Sequence, residues 1–72
     1  MKTGRLIVLD RSGHSTLEYN RTDPADVARA DKVLADALAQ GRLAYREDTQ
    51  QVVRTIDPEA EEIVVLPRLV GG

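Results

Sequence analysis

The sequence predicts a small single α+β domain with one helix packed on one face of a mixed sheet. Three observations predict it. Two short runs, residues 6–9 (Leu-Ile-Val-Leu) and 63–66 (Ile-Val-Val-Leu), are apolar at both parities and lie near opposite ends of the chain. A well-punctuated amphipathic helix stands between them. The other stretches alternate polar and apolar residues and are separated by turn formers. The 72 residues leave room for one domain only. A domain of that size buries only about 60% of the surface its unfolded chain exposes.

The first expected strand is 5–10. Leu6, Ile7, Val8 and Leu9 leave no wet face, which suits a strand at the centre of a sheet. Arg11, Ser12, Gly13 and His14 follow as turn formers, with Gly13 able to take the positive φ that a tight hairpin needs. Residues 15–19 then alternate. Leu17 and Tyr19 point one way, Thr16 and Glu18 the other, so this is a half-exposed partner strand. The helix is expected over 24–40. Asp23 is a good N-cap, Pro24 suits the first helical position, and Asp26 places a carboxylate at the positive end of the helix dipole. Val27, Ala30, Val33, Leu34, Ala37 and Leu38 form a single apolar stripe, and Gly41 is the stop.

A second hairpin is expected from 42–46, with Leu43 and Tyr45 inward, and 51–56, with Val52, Val53 and Ile56 apolar. Asp57-Pro58-Glu59-Ala60 forms a turn, since proline fits its second position. The last strand is 62–66. Pro67 cannot donate to a ladder, so pairing ends there. The order ββαβββ, with the two doubly apolar strands parallel in the middle and a hairpin at each edge, is a β-grasp arrangement. One sheet face then has no helix over it. Ile7, Leu9, Val64 and Leu66, or their opposite-parity neighbours, would line that face, and a contiguous apolar patch there suits a partner.

Composition narrows the chemistry. With no cysteine, disulfides, thiolate metal sites and a thiol nucleophile are excluded. His14 is the sole histidine and reads as a solvated turn residue. No metal site and no catalytic constellation is expected, so the chain does not read as an enzyme. A net charge of −2 argues against general nucleic-acid binding. The apolar runs fall far below the roughly 18 residues that span a membrane, and neither resembles a signal peptide, so a cytoplasmic protein is expected. Tyr19 and Tyr45, the only aromatics, are expected to cap the core. The acidic stretch 57–62 reads as a turn and solubility feature, with docking to a basic partner groove as its functional reading.

The end of the chain carries the strongest functional pattern. Glu61, Glu62, the apolar run 63–66, Pro67, Arg68, Leu69, Val70, Gly71 and Gly72 together resemble the C-terminus of ubiquitin-like β-grasp proteins. The pattern is most similar to that of bacterial sulfur carriers, the small subunit of molybdopterin synthase and the thiamine-pathway carrier. Two features depart from those carriers: Asp57-Pro58-Glu59-Ala60-Glu61 stands where a Gly-Asp turn is common, and Arg68 follows Pro67 where a second proline is frequent. The resemblance implies a β-grasp domain over 1–67 and a flexible tail over 68–72. It implies a protein carrier or modifier whose Gly72 carboxylate is adenylated by an activating enzyme and passed to a downstream acceptor. Gly71 and Gly72 would be the conjugation terminus, and Arg68, Leu69 and Val70 would be read by the partner as extended chain. No cofactor is implied. Physically, only glycine lets the backbone thread a narrow channel in any conformation. Lys2 and Lys32 are the only lysines, which leaves few acceptor sites for chain formation and favours a sulfur carrier or a singly attached modifier. A non-enzymatic interaction or structural module of a larger assembly is the alternative.

Overall fold

The computed structural model describes residues 2–10 and 13–67. Thr3–Asp10 (β1) and Gly13–Asn20 (β2) form an antiparallel hairpin with unbroken register from Thr3↔Asn20 to Asp10↔Gly13. Gly13 has φ +135°, a conformation in which a Cβ would be strained. Arg11 and Ser12 of the expected turn lie outside the described residues.

The helix, α1 (Pro24–Ala39), starts where its caps direct. The Asp23 carboxylate accepts from the Ala25 N–H at 3.0 Å, Pro24 opens the first turn, and Gly41 follows the cap residue Gln40 with φ +86°. A second carboxylate ties the helix to the sheet. Asp26 Oδ2 accepts from the Asn20 N–H at 2.6 Å, and Asp26 Oδ1 accepts from Arg29 Nη2 at 2.8 Å. Arg29 Nη2 also donates to the Glu18 carbonyl at 3.3 Å. Of the expected stripe, Ala30, Leu34 and Ala37 are buried and Val27 and Leu38 pack against the core, whereas Val33 lies at the margin, 40% exposed.

Ala44–Arg46 (β3) and Glu62–Val65 (β4) complete a four-stranded mixed sheet in the order β2-β1-β4-β3. β1 and β4 run parallel from Arg5↔Glu62 to Val8↔Val65, and β3 is antiparallel to β4. Leu6, Ile63 and Val65 are fully buried with Leu34 beneath the helix. Burying such a side chain is worth about 1.5–3 kcal/mol. Tyr19 is core rather than cap, only 2% exposed, whereas Tyr45 is only half-buried.

Two expectations are corrected. Residues 51–56 are not a strand. A single bridge, Tyr45↔Val52, is flanked by hydrogen bonds from Arg46 N–H to the Gln51 carbonyl and from Val53 N–H to the Ala44 carbonyl. The chain then leaves the sheet because Ile56 is drawn into the core, 6% exposed, its N–H held by Asp31 Oδ1 of the helix at 2.9 Å. The order is therefore ββαββ rather than ββαβββ. The parity of the third strand is also reversed. Ala44, paired with buried Val65, points inward at 0% exposure, while Leu43 is 45% exposed. A methyl group suffices where the sheet edge meets the core. The 57–60 turn forms as expected, with the Ala60 N–H donating to the Asp57 carbonyl at 3.0 Å.

The Gly4–Tyr19 pair is a close-approach site. A Cβ on Gly4 would sit 2.6 Å from Tyr19 Cζ, so the ring lies across bare backbone. The Tyr19 hydroxyl is buried without a hydrogen-bond partner among the described residues. Burial pushes the phenol's pKa up, and Asp57 adds to this, while Arg21 opposes it. Gly4→Ala is expected to destabilise by about 1–3 kcal/mol through overpacking. Tyr19→Phe is expected to change stability by less than about 1 kcal/mol, since no hydrogen bond is lost. Urea unfolding of both variants checks this. A neutral Gly4→Ala or a strongly destabilised Tyr19→Phe contradicts the packing described.

Candidate functional site

The side of the sheet opposite the helix is built by parity. Ile7 pairs with Val64, Val64 with Tyr45, and Tyr45 with Val52, so these side chains share one face. Leu9, Leu43 and Leu66 belong to the same face by alternation. Val64, flanked by Ile7 and Tyr45, is shielded to 7% exposure, whereas Leu43 and Val52 are 45% and 60% exposed. The set 7, 9, 64 and 66 is thus the open-face set, and 6, 8, 63 and 65 face the helix. Leu43, Tyr45 and Val52 join the patch against the expectation that the second hairpin would turn Leu43 and Tyr45 inward. The one residue that could have revealed this is Ala44, too small to be the exposed member of an edge strand flanked by Leu and Tyr.

Beyond β4 the chain stays tied to the sheet as far as Leu66. The Leu66 N–H donates to the Leu43 carbonyl at 2.8 Å, after which Pro67 has no N–H to give. The expected conjugation terminus, Gly71 and Gly72, and the expected partner-reading residues Arg68, Leu69 and Val70 lie outside the described residues.

At the far end of β4, five carboxylates line an open cleft of about 230 Å³: Glu47, Asp48, Glu59, Glu61 and Glu62. The sequence shows 59–62 as an acidic stretch. Glu47 and Asp48 join it because β3 runs antiparallel to β4, and the Glu47 N–H donates to the Glu62 carbonyl at 3.1 Å. Arg46 anchors the edge. It grips Asp48 through Nε at 3.1 Å and Nη2 at 2.8 Å, and reaches Asp57 through Nη1 at 2.6 Å. The hydrogen bonds from Arg46 hold the Asp48 carboxyl below its ordinary pKa. Glu62 lies 3.9 Å from Arg5 and Glu61 lies 4.0 Å from Arg21, both at the long limit of an ion pair. The cleft is smaller than a typical ligand pocket. Among the described residues, no group of three or more His, Cys, Asp or Glu side chains could hold a metal ion. No helix among them is long and apolar enough to cross a membrane. His14, expected in the turn, is instead an exposed residue of strand β2.

No protein-family model, curated protein or solved structure matches this chain.

Two carboxylates, Asp26 and Asp48, have lowered pKa values in the folded chain. Asp26 is lowered first by the Asn20 N–H and next by Arg29; Asp48 is lowered first by Arg46. A group with a depressed folded pKa binds protons more readily when unfolded. Its stabilising contribution is present above the unfolded value, about 3.9, and is lost as pH falls through the lower folded value. Stability should therefore decline below about pH 4, and Asp26→Ala should flatten that acid limb while lowering stability at neutral pH. Urea midpoints across the acid range check this. An acid limb as steep in the variant as in the parent removes Asp26 from the account.

Proposed function

We propose that this chain is a ubiquitin-like β-grasp carrier or modifier that acts through the carboxylate of Gly72. The glycine pair would be presented at the terminus, directly or after trimming of any residues beyond it. One observation carries the reading. The last strand, β4, is central and parallel to β1, and it runs past the open apolar face toward the Pro67-Arg68-Leu69-Val70-Gly71-Gly72 sequence. An activating enzyme that seats on the open face would then have the reacting end within its reach. The four-stranded order with parallel central strands also supports the β-grasp assignment, with the second hairpin reduced to one strand and a bridge.

The chemistry on this reading belongs to the terminus and to the partner enzyme. The Gly72 carboxylate attacks the α-phosphate of ATP, pyrophosphate leaves, and the acyl-adenylate forms. Hydrosulfide then displaces AMP and loses its proton to leave the thiocarboxylate, or the amine of an acceptor protein displaces AMP and loses a proton to leave the isopeptide bond. The product is a thiocarboxylate carrier or an isopeptide conjugate, according to the acceptor. Gly71 keeps the approach free of side chains, and Arg68, Leu69 and Val70 supply the extended segment that the partner reads. No residue of the folded domain acts as acid, base or nucleophile.

A second reading is favoured by a specific observation, the exposure of Leu43 and Val52 beside Ile7, Tyr45 and Leu66. The domain would then be an interaction module whose open face is its whole function, with the glycine pair unused.

Incubation with ATP and a carrier-activating adenylating enzyme, followed by intact-mass measurement, tests the first reading. Adenylate or thiocarboxylate should form on the full chain and not on a chain lacking Gly72, with unfolding free energy unchanged within about 0.5 kcal/mol. Product on the shortened chain contradicts it. Partner binding that survives removal of Gly71 and Gly72 but is lost in Val52→Asp supports the interaction module instead.

A further inference from the structure

The two edges of the sheet are finished differently. The outer edge of β3 is covered, because the chain at 51–53 takes the Arg46 N–H and supplies a donor to the Ala44 carbonyl. The outer edge of β2 is covered over only half its length. In a β-strand, the backbone groups of alternate residues point to the same side. Contacts with the helix identify that side in β2: the Asn20 N–H bonds to Asp26 and the Glu18 carbonyl bonds to Arg29. The even-numbered residues of β2 therefore point outward. The Asn20 carbonyl is also taken, by the Asp23 N–H at 3.1 Å. The N–H groups of His14, Thr16 and Glu18 and the carbonyls of His14 and Thr16 remain without a partner among the described residues. This stretch has no proline, no lysine and no bulge, the usual devices that blunt an edge.

We infer that this free half-edge is a self-association site, at which β2 of a second copy pairs antiparallel about Thr16. Side-chain complementarity selects the occupant and the register. A two-fold pairing centred on Thr16 sets His14 opposite Glu18 of the second copy, and Glu18 opposite its His14. Thr16 faces its own equivalent. The free outward groups are then used: Thr16 exchanges two backbone hydrogen bonds with its equivalent, the Glu18 N–H donates to the second copy's His14 carbonyl, and the His14 N–H shares the second copy's Glu18 carbonyl, whose other lone pair takes Arg29. The opposed His–Glu and Thr–Thr side chains are favourable cross-strand neighbours. Centring on Glu18 would oppose two carboxylates and run into the Asp26–Arg29 pair. The helix pair thus acts as a stop that leaves the Thr16-centred register free. Since His14, Thr16 and Glu18 share the face of Ile7 and Leu9, the join would merge the two open faces into one continuous surface. This inference does not depend on the chemistry of the terminus.

Sedimentation equilibrium of the full chain over a concentration series into the millimolar range tests it. The expected result is a weak monomer–dimer equilibrium. Thr16→Pro removes one outward N–H at a position where an edge strand tolerates proline, and should raise the dimer Kd at least about tenfold with far-UV circular dichroism unchanged. His14→Glu should weaken the dimer roughly fivefold by opposing carboxylates, and His14→Glu combined with Glu18→Lys should restore it. If Thr16→Pro disturbs folding, the His14 single and double variants decide alone. A chain that stays monomeric throughout, or a His14→Glu effect that Glu18→Lys does not reverse, overturns the inference.

Discussion

The parallel pairing of β1 with β4 is the constraint on which the rest of the structure depends. It joins segments from opposite ends of the chain, Arg5↔Glu62 through Val8↔Val65. Parallel neighbours cannot be linked by a tight turn and need a long crossover. Helix α1 lies within that crossover and covers the face it crosses. Once these two strands are central, β2 and β3 can only be edges, and Leu6, Ile63 and Val65 meet Leu34 in a single core. The cost of closing so long a loop is recovered only when both strands are in place, so the last strand is integral to folding and not an appendage to it.

Much of this was legible in the sequence for identifiable reasons. Doubly apolar runs mark strands with neighbours on both sides, and residues 6–9 and 63–66 were the only such runs. The helix carried local instructions at both ends, in Asp23-Pro24 and Gly41, and local instructions survive folding well. The second hairpin departs from its sequence pattern because its information is not local. Val52, Val53 and Ile56 suit a strand by composition, but Ile56 is taken by the core and Asp31, a helix residue distant in sequence. Leu43 and Tyr45 look like inward residues beside Ala44. The register with Val65 overrides that, because the inward slot at the sheet edge is small.

The candidate site was legible only in pieces. The glycine pair is a pattern of the sequence alone. The open face was half visible, since parity showed that one set of apolar residues must lack a helix but not which set, nor that Leu43, Tyr45 and Val52 would extend it. The acidic cleft needs the antiparallel return of β3 to bring Glu47 and Asp48 beside 59–62. These features share one origin. A sheet with a single helix has one face covered by that helix and one face without it. A carrier and an interaction module would both use that asymmetry, and they differ in whether the glycine pair or the face carries the function.

Native-state hydrogen exchange is the most direct measurement of the central claim. If the β1–β4 pairing is the keystone, the amides of Arg5 and of the central β4 residues should exchange only through global unfolding, with protection equal to that of the helix amides around Leu34. If β4 instead exchanges through a low-energy local opening while β1, β2 and the helix stay protected, the last strand is an accessory and the account fails.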